Sequence, residues 1–376
     1  MHKLIVILTA LLTTISAFGK SSDTKGKIEA KYDERIELMS VLCHLAGFRE
    51  YNMNIGGKYI TEIDSFFSNV KNHPAVEMMD SLRQYKGIAF DSPMAFAINL
   101  QKEGNLFSLI CDTIIPEKRW IGVDLKMVMR NISDFYTNSN FTKFFDSHKP
   151  FYEEICEIFN SNVISKFNQG WYSQFYGVEP KENFEVIIGF VNGGGNYGPS
   201  RQLPGKPRDV YAIMGYGLDE NGDTYYFSSP NSFLVTLVHE FNHSFVNPLA
   251  IDKRFSDQME DAGKDMLKLS EQVMQRSAYG KWENLVNESI VRAAVIRYLI
   301  ENNYSEDKVR ESVINEMSVG FYWTPELVKS LTEYSSNRDR YPSIDTFYPN
   351  LIKFFRTYAD SRFEEIGSIF TTEISK

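Results

Sequence analysis

The stretch Val238-His239-Glu240-Phe241-Asn242-His243-Ser244 decides how the rest of the chain is read. Histidines four residues apart lie on one face of a helix, so both rings can offer a nitrogen to one cation while Glu240 projects beside them toward a water. The surrounding helix is short of charge: between residues 233 and 246 Glu240 is the one ionised side chain. Such a segment belongs at the floor of a cleft, and a carboxylate placed there calls for a reason. The competing use of the same residues is a pair of hydrogen-bonded core histidines beside an ordinary helix carboxylate.

Two imidazoles do not complete a catalytic metal site, which needs a third protein ligand and an open position. The chain has six histidines, none after His243, and the position six residues beyond it is Leu249. A carboxylate is therefore expected. Glu288, in Asn287-Glu288-Ser289-Ile290-Val291-Arg292, shares a helix face with Leu285, Val291 and Val295 and so turns inward. Glu283 falls in a first turn, where an exposed Glu is favoured by the helix dipole alone. Asp252, Asp257, Glu260 and Asp261 lie in an amphipathic segment and read as solvated. An ion pair with Arg292, one turn on, competes for Glu288. The expected cofactor is Zn2+.

Upstream, Phe184-Glu185-Val186-Ile187-Ile188-Gly189-Phe190-Val191 is β-branched and aromatic and runs into Asn192-Gly193-Gly194-Gly195-Asn196-Tyr197-Gly198-Pro199. That is a strand entering a glycine-rich segment. Further strands are expected at 210–216 and 224–227, flanking Asp219-Glu220-Asn221-Gly222-Asp223, whose Asn-Gly step signals a hairpin. The acidic turn lacks the glycine placement and terminal Glu of a calcium loop, so a plain turn is expected. The sheet should be small and antiparallel or mixed. Ser229 is placed to cap the following helix, and Pro230 suits its first turn. Residues 199–207 should form an exposed loop.

Helical periodicity dominates from 27 to 169 and again beyond 250. The expected organisation is α+β: a mostly helical lobe over 20–180, the sheet plus the H-E-x-x-H helix over 181–250, and a helical lobe over 251–376 carrying the third ligand. Residues 1–19, with Lys3, an apolar run over 4–12 and Ala17-Phe18-Gly19, have the three parts of a secretory signal. A periplasmic or extracellular protein is expected, without an integral membrane segment once the signal is removed. Cys43, Cys111 and Cys156 show no C-x-x-C spacing and read as small buried hydrophobes, although one disulfide is open to them. Forty basic against 49 acidic side chains leave a net charge of −9, which removes the usual electrostatic grip on nucleic acid. The aromatic share of 14% suits a packed interior or a groove for an extended organic ligand.

Taken together, strand, glycine-rich segment, hairpin, H-E-x-x-H helix and a later helix bearing Asn287-Glu288 resemble the gluzincin branch of zinc metallopeptidases. The chain also looks like an uncharacterised family of exported Bacteroides-type proteins. The gluzincin resemblance covers about residues 184–300 and implies a zincin-like fold. It implies zinc on His239, His243 and Glu288, Glu240 as general base, and an edge segment at Gly193, Gly194, Gly195, Asn196 and Tyr197 that pairs with a peptide substrate. Glycines there would let a substrate backbone approach closely, although a tight turn or bulge explains them equally well. Relatives also use a His or Tyr to stabilise the tetrahedral intermediate. No later His exists, so Tyr341 is the first candidate, followed by Tyr348 and Arg338. The aminopeptidase G-x-M-E-N segment is missing, which points to an endopeptidase. A noncatalytic exported peptide- or polymer-binding protein is the alternative, and a hydrolase of non-peptide amides would share the site.

Overall fold

The computed structural model describes residues 28–53, 57–276 and 280–374; the expected signal segment over 1–19 lies outside them. Six strands are found: β1 (Ala30–Lys31), β2 (Leu100–Glu103), β3 (Leu106–Leu109), β4 (Asn183–Gly189), β5 (Ser200–Arg201) and β6 (Asp209–Gly215). The N-terminal helices are α1 (Glu34–Leu45), α2 (Lys58–Phe66), α3 (Pro74–Lys86), α4 (Ser92–Ala97), α5 (Leu125–Asn138), α6 (Phe141–Asn162) and α7 (Gly170–Tyr176). After the sheet come α8 (Tyr225–Ser228), α9 (Pro230–Ala250), α10 (Ser256–Arg276), α11 (Trp282–Glu301), α12 (Glu306–Ser318), α13 (Thr324–Ser336) and α14 (Ile344–Ile374). The class is α+β, as expected. One apolar cluster runs from Ile28 to Ala359 through the helical parts and the sheet alike. No helix among the described residues is long and apolar enough to cross a membrane.

The sheet has the order β1-β4-β6-β5. Its centre is parallel, with Asn183 opposite Asp209 and Gly189 opposite Gly215, whereas the short β5 runs antiparallel to β6. The antiparallel reading of this centre is thus corrected to a mixed sheet. The composition explains it: the buried parts of β4 and β6 are unbroken apolar runs, covered on both faces, without the alternation of a half-exposed antiparallel strand. Residues 224–227 are also corrected, from a strand to the start of helix α8. Both neighbours of β6 are already taken, so only a single bridge between Leu218 and Thr224 forms. The turn itself is as expected, and Asp219 Oδ1 accepts the N–H groups of Asn221 (2.9 Å) and Asp223 (3.1 Å).

Two strand features escaped the sequence. β1, inside the helical N-terminal part, adds a parallel strand beside β4, and β2 with β3 forms a hairpin whose turn has Gly104 at φ +59. All three cysteines are free; Cys43 and Cys156 are buried. Helix α9 starts at Pro230, and Ser229 holds the capping position without a side-chain cap bond.

Glu37 on α1 is 2% exposed, and Tyr59 Oη donates to its Oε1 at 2.5 Å. Burial pushes its carboxyl up to about 7. The folded state therefore holds a proton that the unfolded chain releases at ordinary carboxyl values. This contribution is fully present below about pH 4.5 and is lost as pH rises through about 7, amounting to about 3 kcal/mol at most. Glu37→Gln keeps the shape and removes the titration. Urea unfolding from pH 4.5 to 7.5 should show stability falling with pH in the parent and a flatter profile in the variant.

Candidate metal centre

Helix α9 runs beneath the sheet against β6 and is crossed by α11. Both are apolar helices with buried polar punctuation: Leu237, Val238, Phe241, Phe245 and Val246 on α9, and Leu285, Val286, Ile290 and Val291 on α11, are buried. Asn242, fully buried, donates to Val291 O at 3.4 Å and ties the two helices at the crossing.

At that crossing His239, His243 and Glu288 meet. His239 Nε2 and His243 Nε2 are 3.2 Å apart, and Glu288 places Oε2 3.5 Å from the first and Oε1 3.4 Å from the second. Donors bound tetrahedrally at about 2.0–2.1 Å lie about 3.3 Å from one another, close to the spacing of the two ring nitrogens and to the distance of each from one of the two Glu288 oxygens. Asn247 Oδ1 lies 3.1 Å from His243 Nδ1 and can only accept. With the ring proton on Nδ1 this contact leaves Nε2 as a lone pair, the support that metal-binding histidines ordinarily have. Burial first, then His243 and Arg292, hold His239 well below its ordinary value, so its ring is neutral. The residues present fit a divalent cation with one position left open.

Both uses foreseen for Glu288 coexist. Arg292 Nε donates to Glu288 Oε2 at 3.1 Å while its Nη1 reaches Glu316 Oε2 at 2.5 Å, with the guanidinium over the Phe321 ring. One carboxylate edge is thereby fixed by Arg292, and both oxygens stay near the histidines. Glu283 is exposed. Asp252 pairs with Arg254, and Glu260 with Lys264, as solvated side chains do.

Glu240 lies on the same helix, half-buried, and burial pushes its carboxyl up to about 7, with Glu288 and Asp91 adding to the rise and His243 and Arg292 opposing it. Its neighbour is the sheet edge, at a place the sequence did not single out. A β-carbon on Gly198 would come within 2.1 Å of Glu240 Oε2, so a larger residue there would push the Glu240 carboxylate aside. Tyr197 pairs with Ile213 through two backbone bonds (3.0 and 2.8 Å), and Tyr211 N–H donates to Pro199 O at 3.0 Å. By the alternation of an antiparallel pair, the backbone groups of Gly198 and Ser200 face away from β6, and both residues are exposed.

The segment from 193 to 197 has another task. Gly193 (φ +56) and Gly195 turn the chain across the end of β6, where a β-carbon on Gly215 would strike Gly193 O. Asn196 Oδ1 accepts from Gly215 N–H at 2.9 Å, Gly194 is exposed at the turn, and Tyr197 is buried against Tyr51. The open edge thus begins at Gly198, immediately after the expected segment, and the loop expected over 199–207 starts as strand.

The three candidates for an intermediate-stabilising group are held elsewhere. Tyr341 packs on Phe347 and its hydroxyl accepts from Asn350 at 2.8 Å, lining a cavity of about 720 Å³ with Glu333, Lys353 and Tyr358. Tyr348 is fully buried against Phe255. Arg338 spends its guanidinium on Phe175 O and Pro342 O. None of the three makes a recorded contact with His239, Glu240, His243 or Glu288, and the reason is local: all belong to the packing before and along α14.

The group His239, His243 and Glu288 is the cluster of its kind among the described residues whose donor atoms converge closely enough for one ion. Replacing any of them by Ala should weaken divalent cation binding at least 100-fold in a competition titration with a chromophoric chelator, whereas Glu283→Ala should leave it unchanged. Asn247→Ala should weaken it about 10- to 100-fold, the usual effect of losing a histidine's supporting acceptor.

No curated protein and no solved structure matches the chain. A family model described as a domain of unknown function, DUF4932, matches residues 28–354, which takes in every strand and the whole of α9 and α11. The chain therefore belongs to the DUF4932 family.

Proposed function

We propose that this protein is an exported zinc endopeptidase of gluzincin type. The observation that carries the reading is the convergence on α9 and α11 of two ring nitrogens 3.2 Å apart and the Glu288 carboxylate, whose oxygens lie 3.5 and 3.4 Å from them, with Glu240 one residue from the first histidine. The mixed sheet with a short antiparallel edge strand beside that helix supports a zincin-like arrangement. Export rests on the residues of the 1–19 segment alone.

His239, His243 and Glu288 would hold the zinc, which when bound supplies Lewis acidity to a water and to an amide carbonyl. The remaining roles belong to this chain's own groups. The outward backbone of Gly198 and Ser200 pairs with an extended peptide by strand addition, which lays a peptide bond beside Glu240. Glu240 accepts a proton from the attacking water and returns it to the leaving nitrogen. A buried carboxyl near neutrality suits both directions of that transfer, because its proton affinity lies close to the working pH. Arg292, held by Glu316, keeps Glu288 oriented.

Glu240→Gln should retain about one equivalent of zinc while hydrolysis of an internally quenched peptide falls at least 1,000-fold. Full activity in that variant would remove Glu240 from the mechanism, and retained zinc with no hydrolysis by the parent would favour a binding protein. Gly198→Ala meets only the end of a flexible side chain, so its cost in stability should stay below about 1 kcal/mol. The displaced Glu240 carboxylate should nevertheless lower kcat at least tenfold, read from thermal unfolding and steady-state kinetics on one preparation.

A further inference from the structure

Phe90 holds a left-handed backbone, φ +57, which residues other than glycine rarely adopt. Its surroundings enforce it. Glu50 Oε1 accepts the Phe90 N–H at 2.8 Å, Tyr51 Oη donates to Phe90 O at 2.7 Å, and Arg83 anchors Glu50 at 2.6 Å. On the following residue, Arg119 binds Asp91 at 2.7 Å and also donates to Ala89 O at 3.0 Å. All of this fixes a turn whose effect is to point a phenyl ring outward, 56% exposed, next to Met53 at 48%. The two flank a depression of about 390 Å³, completed by Arg49, Glu50 and Arg83. Strain maintained by several bonds for the sake of an exposed apolar side chain marks a functional position more readily than a packing one.

Two interactions link the depression to the open sheet edge. Tyr51, which grips Phe90, packs its ring 6.1 Å from that of Tyr197, the residue before Gly198. Asp91, next to Phe90, is near enough to Glu240 for its charge to act on that carboxyl. A peptide lying along Gly198 and Ser200 turns alternate side chains to opposite sides, and one set faces the N-terminal helices.

We propose that Phe90 and Met53 form a side-chain subsite that receives one large apolar residue, aromatic above all, of a peptide bound along the Gly198–Ser200 edge. The proposal rests on the peptidase reading of the Glu240 site for its ligand class. Two soft, exposed apolar groups suit an aromatic guest, since Phe90 offers a ring face or edge and the Met53 thioether adapts to ring edges. Glu50 brings no free charge to the floor, because Arg83 neutralises it and its carboxyl is held below the usual range despite burial.

The test uses the full chain carrying Glu240→Gln, loaded with zinc, and capped extended pentapeptides with Phe, Leu, Ala or Asp at each position in turn, followed by fluorescence anisotropy. At one position Phe and Leu should bind at least tenfold more tightly than Ala, with Asp weakest. Phe90→Asn preserves the left-handed backbone, which Asn tolerates, and removes the ring; together with Met53→Ala it should bring the Phe-to-Ala ratio close to one. Equal binding of all peptides, no binding of any, or a ratio that survives both substitutions would overturn the subsite. Selective binding that both substitutions abolish, combined with no cleavage by the zinc-loaded parent, would instead overturn the peptidase reading and leave the subsite standing.

Discussion

Two ring nitrogens 3.2 Å apart and the Glu288 carboxylate, with one oxygen within 3.5 Å of each, converge at the crossing of α9 and α11. Asn247 Oδ1 lies against the far nitrogen of His243, and burial holds His239 well below its ordinary value. The fold imposes this convergence. It does so with α11, whose residues from Leu285 to Leu299 are buried almost throughout, and with the Asn242 bond to Val291. Such a crossing is stable through packing, and its polar contents make sense as a cation's donor set.

A second constraint shapes the cleft above it. The chain leaves β4, crosses the end of β6 on glycines, runs back as the edge at Tyr197 and Ser200, and only then enters β6. The crossing works because Gly215 has no side chain for the carbonyls of Gly193 and Gly195 to meet. Arg201 pins the far end of the edge, binding Asp209 at 2.6 Å and Ile98 O at 2.6 Å. Because the edge is fixed at both ends, Gly198 sits close over Glu240, beside the histidine–carboxylate cluster.

The convergence of His239, His243 and Glu288 was legible because helical geometry converts a four-residue spacing into a shared face, and because the absence of later histidines points to a carboxylate. Glu288 followed from the apolar face it shares, a local property. Asn247 carried a readable signal too, being one turn beyond His243 on an otherwise apolar helix. Gly198 carried none, since its φ is ordinary and its importance comes from a side chain 42 positions away. The antiparallel reading of the centre came from the Asn-Gly hairpin signal at 221–222, whereas unbroken apolar runs such as Val186-Ile187-Ile188 suit a parallel pair covered on both faces. Tyr341 failed for a plainer reason: proximity in space to a distant helix leaves no trace in local pattern.

Charge around Glu240 shows how the two constraints combine. Burial between Gly198 and α9 raises its proton affinity, and Glu288 and Asp91 raise it further. A divalent cation on the neighbouring donors would act in the opposite sense, since it favours the carboxylate. On the peptidase reading these opposing fields are the useful feature. A fully solvated Glu would be too weak a base to hold a water's proton, and a buried one without a nearby positive charge would stay protonated and accept none. Arg292, paired with Glu316, supplies part of that positive field through the scaffold itself. The basicity of Glu240 is thus set by groups on three helices and one sheet edge, which is why the motif alone, lifted onto a solvated helix, would not reproduce it.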